Sequence, residues 1–199
     1  LFKAIRCKDK KYGTSRYGNY LSGEVKKIGV PYDLLKEGVE ADVLANFEGS
    51  IKIFEKEGYQ IKDVSLPALK YALAIYYVIM PAEVSSNMAR YDGLRYGVQK
   101  KGSDLLATYQ ESRGSGFGKE VRRRIMLGTY VLSAGYYDAY YGRANAVRRV
   151  MTDEFSKAFL DVDVIAMPVS PTPAFLIGER ATDPLSMYLA DIFTVSANF

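Results

Sequence analysis

The residues that could do chemistry in this chain are narrowed first by an absence. None of the 199 residues is histidine, which excludes Ser-His-Asp and Cys-His nucleophile pairs and His-built zinc sites. The single cysteine, Cys7, permits no internal disulfide, as expected for a reducing compartment. As a nucleophile it would need Lys3, Arg6 or Lys8 to depress its pKa; it reads as a packed or incidental thiol. The glycine-rich stretch Ser112 to Gly118, followed by Lys119, fails as a phosphate loop. Arg113 stands where that pattern needs Gly, and Glu120 where it needs Ser or Thr. A dinucleotide fingerprint would follow a strand, and the residues before this stretch are helical in pattern. Arg122-Arg123-Arg124 are spread about 100° apart around a helix and cannot share one face. Either they are solvated, or one turns inward as a fork able to grip a carboxylate bidentately. Asp191, inside the apolar run Met187 to Phe193, is either a surface residue or a pocket carboxylate able to hold an ammonium group. Tyrosine is abundant, with 17 residues that pair at Tyr76-Tyr77, Tyr136-Tyr137 and Tyr140-Tyr141. Tyr137 and Tyr141 share a helix face beside Asp138. Packing is their default role; base stacking would want interleaved basic residues, and only Arg143, Arg148 and Arg149 follow.

Such side chains need elements to position them. Lys27 to Val30 predicts a short strand ended by Pro31. Residues 38–57 have helical spacing, with Val43, Leu44, Phe47, Ile51 and Phe54 as one apolar stripe and Glu57-Gly58 as the C-cap. Tyr59 to Val64 alternates and predicts a second strand. Strand, helix and strand at this length predict a βαβ unit with parallel neighbours. Ala68 to Met80, apolar nearly all round, predicts a buried helix, and Pro81 the first turn of another running to about Ala89. Ser103-Asp104 predicts the cap of a short helix to about Gln110, and residues 112–118 a flexible loop. Lys119 to Phe159 predicts the longest helical stretch, broken near Gly128 or Gly135 and again near Gly142. Asp163 to Met167 predicts a fully buried strand stopped by Pro168, Pro171 and Pro173. Pro184 to about Phe193 predicts a last helix. The class is α/β, helix-rich, with three strands that other strands would normally complete.

Hydrophobic content of 48% and charged content of 25% fit a globular protein. A net charge of +4 permits an RNA partner without requiring one. No apolar run approaches the roughly 20 residues of a membrane helix, so no membrane span is expected. Residues 1–25 are polar and turn-rich and read as a surface connector. The start at Leu1 and the unpolar end at Phe199 read as cuts through a longer chain, since domains usually fray into polar termini.

Three stretches carry a family resemblance. The first is Tyr76-Tyr77 through Pro81-Ala82-Glu83-Val84-Ser85-Ser86-Asn87-Met88-Ala89-Arg90-Tyr91-Asp92-Gly93. The second runs from Gly116-Phe117-Gly118-Lys119 through Arg122-Arg123-Arg124 to Thr129, and on through Ser133 to Tyr141. The third is Pro171-Thr172-Pro173-Ala174-Phe175 with Ile177-Gly178-Glu179, Asp183-Pro184-Leu185 and Asp191-Ile192-Phe193-Thr194. From about residue 27 onward the chain resembles the amidase-type subunits of tRNA-dependent amidotransferases, within the amidase-signature family. The resemblance implies an α/β/α sandwich around a mixed sheet, with residues 26–199 as the C-terminal portion of one such domain. It implies a catalytic Lys and two Ser, one in a cis peptide, in a Gly/Ser-rich signature N-terminal to this region. The sequence holds no such stretch, and Ser85, Ser86 and Ser133 lack its glycine context, so no catalytic residue is assigned.

The resemblance also implies three substrate-binding positions: Arg124 for the α-carboxylate of glutamine, Asp191 for its α-ammonium, and Tyr76 over the same pocket. It implies glutamine hydrolysis, with ammonia passed to a B subunit that uses ATP and Mg to convert Glu-tRNA(Gln) to Gln-tRNA(Gln). The implied setting is a cytoplasmic heterotrimer with B and C subunits that handles mischarged tRNA, with no cofactor in the glutaminase component itself. Two other readings compete. A stand-alone amidase acting on another amide would not need Arg124 and Asp191 together. An RNA-binding module using Tyr and Arg would bind with a steep salt dependence.

Overall fold

The structure is a computed structural model that describes residues 25–180 and 182–198. The connector expected over residues 1–25 lies outside the described residues apart from Val25, as does Cys7.

Strand β1 (Lys27–Val30) and strand β2 (Gln60–Asp63) run parallel, in register from Lys27 opposite Gln60 to Val30 opposite Asp63. A one-turn helix α1 (Tyr32–Leu35) and the helix α2 (Ala41–Lys56) cross between them, as the expected βαβ unit requires. Gly58 closes α2 at φ +92°, a conformation costly for any residue with a Cβ. Along the expected α2 stripe Ile51 is buried and Val43, Leu44 and Phe47 half-buried. Phe54 is 42% exposed and meets the edge of Tyr59, with ring centroids 5.6 Å apart.

Strand β3 (Val164–Ile165) pairs parallel with the other side of β1, giving the order β2-β1-β3. Asp163 ties the two together, its Oδ2 accepting the backbone N–H groups of Lys26 and Lys27 at 2.9 and 2.8 Å. β3 is shorter than expected and not fully buried, with Val164 36% exposed. Among the described residues no strand pairs with its outer side, and an edge strand leaves one flank open.

Because side chains alternate along a strand, β1 divides the core in two. Ile28 and Val30 point to a cluster with Leu35, Ile51 and Phe193, packed by Leu44 and Phe47 of α2. Gly29 points the other way, where a Cβ would meet Val64 Cγ1 at 2.9 Å and Val162 Cγ2 at 3.0 Å. Val64 and Val162 belong to the second cluster, with Leu69, Ala72, Ile75, Ile79, Ala144 and Met151. Helices on both faces of the sheet make α/β/α layering.

The helices of the second face differ from expectation at several points. Pro67–Tyr71 is a 3-10 turn, and helix α3 runs unbroken over Ala72–Met88 with Pro81 in its interior. Pro81 thus does not open a new helix. An interior proline costs about 3 kcal/mol through its missing N–H and ring clash, and here the fully buried Pro81 is held by packing against another helix. Helix α4 (Leu105–Gly116) takes in most of the expected loop of residues 112–118, leaving Phe117 and Gly118 as the link to the next helix. Its N-cap is Asp104, whose Oδ1 accepts from the Ala107 N–H at 2.8 Å. Buried Ser112 exchanges hydrogen bonds with the Lys100 N–H and C=O, and Arg113 Nη1 donates to the carbonyls of Met88 and Tyr91. Those tertiary bonds outweigh the poor helix propensity of glycine.

Helix α5 (Lys119–Leu132) passes through Gly128 without a break. The break comes after Ser133, with Gly135 at φ +87°. Asp138–Gly142 is a π-type turn that continues into helix α6 (Arg143–Ala158), so Gly142 does not interrupt it. Tyr137 and Tyr141 do lie together there, with ring centroids 5.2 Å apart. Helix α7 stops at Leu189 (Pro184–Leu189), and a 3-10 turn, Val195–Asn198, packs against α3. Among the described residues no helix is long and apolar enough to cross a membrane.

Candidate functional site

Helices α3 and α5 run side by side in the same direction, and the pairs that touch advance together along both. A Cβ on Gly128 would lie 1.9 Å from the Pro81 carbonyl oxygen, so the two backbones meet where only glycine fits. Further along, Ser85 Oγ and Thr129 Oγ1 are 2.8 Å apart. One turn back along each helix stand Tyr77 and Arg124, four residues before Pro81 and Gly128. Residues four apart share a helix face, so the close crossing brings this tyrosine and this arginine together.

The Arg124 guanidinium carbon lies 5.6 Å from the Tyr77 ring centroid and 6.0 Å from that of Tyr188, within range of cation–π attraction to both. Tyr188 comes from α7. Asp183 caps that helix, its Oδ1 accepting from the Leu185 and Ser186 N–H groups at 3.1 and 3.2 Å, with Pro184 in the first turn. The Tyr77 and Tyr188 rings lie 4.2 Å apart, tilted by 32°. Tyr76 stands edge-on to Tyr77 at 5.3 Å.

Within the arginine triplet, one residue faces inward. The Arg124 side chain is 27% exposed and that of Arg123 53%, while Arg122 is exposed. Arg124 Nε donates to Glu120 Oε1 at 2.8 Å, and its Nη1 lies 3.4 Å from Met80 Sδ. Glu120 Oε1 also accepts from the Tyr188 hydroxyl at 2.9 Å, and Oε2 from Arg123 Nη1 at 2.5 Å.

Asp191 lies in the turn after α7, not inside a helix running to Phe193 as expected, and it is exposed. Its N–H donates to the Tyr188 carbonyl at 3.2 Å, and its own carbonyl accepts from Thr194 and Val195, both at 3.0 Å. Its charge is felt at Tyr77. Burial is the chief force raising the Tyr77 phenol to about 12, with Arg124 pulling it down and Asp191 pushing it up. The phenol is therefore neutral at physiological pH. Glu120 is held below the usual carboxylate range by the hydrogen bond from Arg124, against burial and with help from Tyr188. Burial acts to lower Arg124, but the hydrogen bond and charge of Glu120 raise it overall.

The structure thus brings Arg124 and Tyr76 against Tyr77, while Asp191 reaches Tyr77 through its charge alone among the described interactions. Tyr77, Tyr188 and Glu120 join this cluster without having been marked as site residues by the sequence. Only Glu120 left a signal, a carboxylate four residues before an arginine on one helix; Tyr188 arrives from another helix. The arrangement offers an arginine fork on an aromatic floor and a carboxylate nearby, which suits a small zwitterion. The apolar cleft of about 360 Å³ between Met151, Phe155, Phe159, Ile165 and Met167 has no charged lining residue and lacks that chemistry.

Comparison with known proteins agrees with the layered fold. The A subunit of glutamyl-tRNA(Gln) amidotransferase from Caldanaerobacter subterraneus is 54% identical over 185 residues, 92% of this chain and 38% of that protein. Its counterpart from Thermodesulfovibrio yellowstonii is 51% identical over 187 residues, 93% of this chain and 39% of that protein. The chain therefore spans about two fifths of the length of these curated relatives. The crystal structure of the same A subunit from Thermotoga maritima superposes with a TM-score of 0.60 at 41% identity, covering 87% of this chain and 33% of that one. A solved amidase at 20% identity and a TM-score of 0.58, covering 87% of this chain and 37% of its own, shares the fold. The family model for amidases matches residues 2–199, nearly the whole chain, and the chain belongs to the amidase family.

Proposed function

We propose that this chain is part of the glutaminase component of a tRNA-dependent amidotransferase and supplies the grip on glutamine. The observation that carries the reading is the meeting of Arg124 with Tyr77 and Tyr188, with the charge of Asp191 acting on Tyr77. Arg124 binds the α-carboxylate through its Nη edge, and Asp191 binds the α-ammonium. Tyr76 and Tyr77 wall the site, and the neutral Tyr77 adds no charge to oppose the substrate carboxylate. A zwitterion satisfies both charged groups at once, which an amide without charges would not.

Held this way, glutamine presents its side-chain amide to a serine of the full-length protein outside these residues. The serine oxygen adds to the amide carbon, the C–N bond breaks, and a proton is delivered to the departing ammonia. Water then cleaves the resulting ester to glutamate and free serine. The ammonia serves a B subunit, which uses ATP and Mg to activate Glu-tRNA(Gln), in a cytoplasmic complex that also holds a C subunit. The 199 residues alone hydrolyse no glutamine.

The test is glutaminase kinetics of the full-length protein. Arg124→Ala raises the glutamine KM by about 10- to 100-fold, the worth of a charge-assisted fork, and Arg123→Ala changes it little. An unchanged KM in Arg124→Ala removes the reading.

A further inference from the structure

We propose that Glu120 is a positioning residue for the substrate grip. Its carboxylate orients the Arg124 guanidinium and, through the Tyr188 hydroxyl, sets how far Arg124 stands from Asp191. This rests on the reading that Arg124 and Asp191 hold a zwitterionic amide.

Three features separate Glu120 from an ordinary helix-surface ion pair. First, its Oε1 accepts two hydrogen bonds at once, from Arg124 Nε at 2.8 Å and from the Tyr188 hydroxyl at 2.9 Å. A pair that served only helix stability would need no donor 68 residues away in sequence. Second, the bond to Nε occupies the side edge of the guanidinium. The neighbouring contact of Nη1 is to Met80 Sδ at 3.4 Å, a weak acceptor that a carboxylate displaces readily. The fork is thereby turned so that an incoming carboxylate meets it end-on, across Nη1 and Nη2. Third, Tyr188 is bonded to the residue at the opposite pole. The Asp191 N–H donates to the Tyr188 carbonyl at 3.2 Å, and the turn is closed by Thr194 and Val195 on the Asp191 carbonyl at 3.0 Å. Glu120 on α5 therefore anchors the segment that carries Asp191 to the helix that carries Arg124. A zwitterion of fixed length needs that spacing, because missing either charge by about an ångström costs much of the binding.

Glu120 touches no reacting atom in this scheme, so its loss should act on binding and not on turnover. In the full-length protein, Glu120→Ala is expected to raise the glutamine KM about tenfold while kcat stays within about twofold. Glu120→Gln keeps an acceptor oxygen for Nε and for Tyr188, and is expected to restore most of the loss. Tyr188→Phe removes one donor without disturbing α5, and is expected to raise KM about threefold. It serves as the test even if Glu120→Ala fails to fold. The decisive arm is a double-mutant cycle. With Arg124 already alanine, Glu120→Ala should raise KM no further, because there is no fork left to orient. An undiminished effect in that background would show a role independent of Arg124 and overturn the inference, as would a fall in kcat at constant KM. If Arg124→Ala raises KM but neither Glu120→Ala nor Tyr188→Phe does, the inference fails alone. If Arg124→Ala leaves KM unchanged, the reading beneath it fails.

Discussion

Two places along the same pair of helices are built in opposite ways. At Pro81 and Gly128 the backbones of α3 and α5 touch, so closely that a Cβ on Gly128 would run into the Pro81 carbonyl. One turn away charge and aromatic rings meet, with Arg124 beside the paired rings of Tyr77 and Tyr188 and its Nε bonded to Glu120. Close packing at the first place sets the geometry at the second. A contact that tolerates no added methyl group is a rigid pivot, and the side chains one turn away inherit its precision while staying open to a ligand. The half-exposed cluster can therefore hold a shape without being buried.

Breaking each place should give different phenotypes. Gly128→Ala has the largest expected effect, because its methyl would meet the Pro81 backbone at 1.9 and 2.4 Å. Destabilisation of about 3 kcal/mol, read by urea denaturation of the full-length protein, is expected. A loss near zero would mean the helices separate freely, and the pivot would not exist. Arg124→Lys keeps the charge but loses the planar fork. It should raise the glutamine KM about tenfold, a change of about 1.4 kcal/mol in binding, with the denaturation midpoint unchanged. A Gly29→Ala change adds a methyl group against the side chains of Val64 and Val162 at 2.9 and 3.0 Å. Side chains yield where backbone does not, so about 1 kcal/mol is expected by the same measurement. A cost equal to that at Gly128 would erase the distinction between the two contacts.

The smallest effect concerns pH. Asp163 is held below the usual carboxylate range by its hydrogen bonds from the Lys26 and Lys27 backbone. The unfolded chain then binds more protons than the folded one between the two pKa values, so stability rises with pH across that window. The Asp163 contribution is present above about pH 4 and is lost as pH falls through the lowered folded value. The stability difference between wild type and Asp163→Asn should shrink on acidification through that range. A difference that stays constant with pH would mean the carboxylate charge is not what ties β3 to β1.

The βαβ unit is legible in the sequence because its signals are local. Alternation, helical spacing and the Gly58 cap each speak for the residues that carry them. The errors fall where a distant contact overrides a local rule. Pro81 has the local character of a helix start, yet its burial against Gly128 keeps it inside α3. Residues 112–116 look like a glycine loop, yet Ser112 and Arg113 bind the chain at 88–100 and hold the helix. Gly128 looks like a break and is a contact. In the site, Arg124, Tyr76 and Asp191 follow from the family resemblance, whereas residue types and spacing leave the triplet and Asp191 undecided. Solvent exposure separates Arg124 from Arg123, and no spacing rule encodes that difference.

Residue order alone settles the kinds of chemistry in reach. It holds no histidine, it offers an arginine triplet and a carboxylate among apolar residues, and its helices and strands follow a layered α/β pattern. Residue type and short-range periodicity suffice for those statements, since they depend on neighbours within one or two turns. The packing of the folded chain is what determines which arginine turns inward, which tyrosines lie against it, and that Glu120 bonds to both Arg124 and Tyr188. Those facts depend on where α3, α5 and α7 meet: α3 and α5 at a backbone contact between two residues far apart in the chain, Pro81 and Gly128, and α7 through Tyr188.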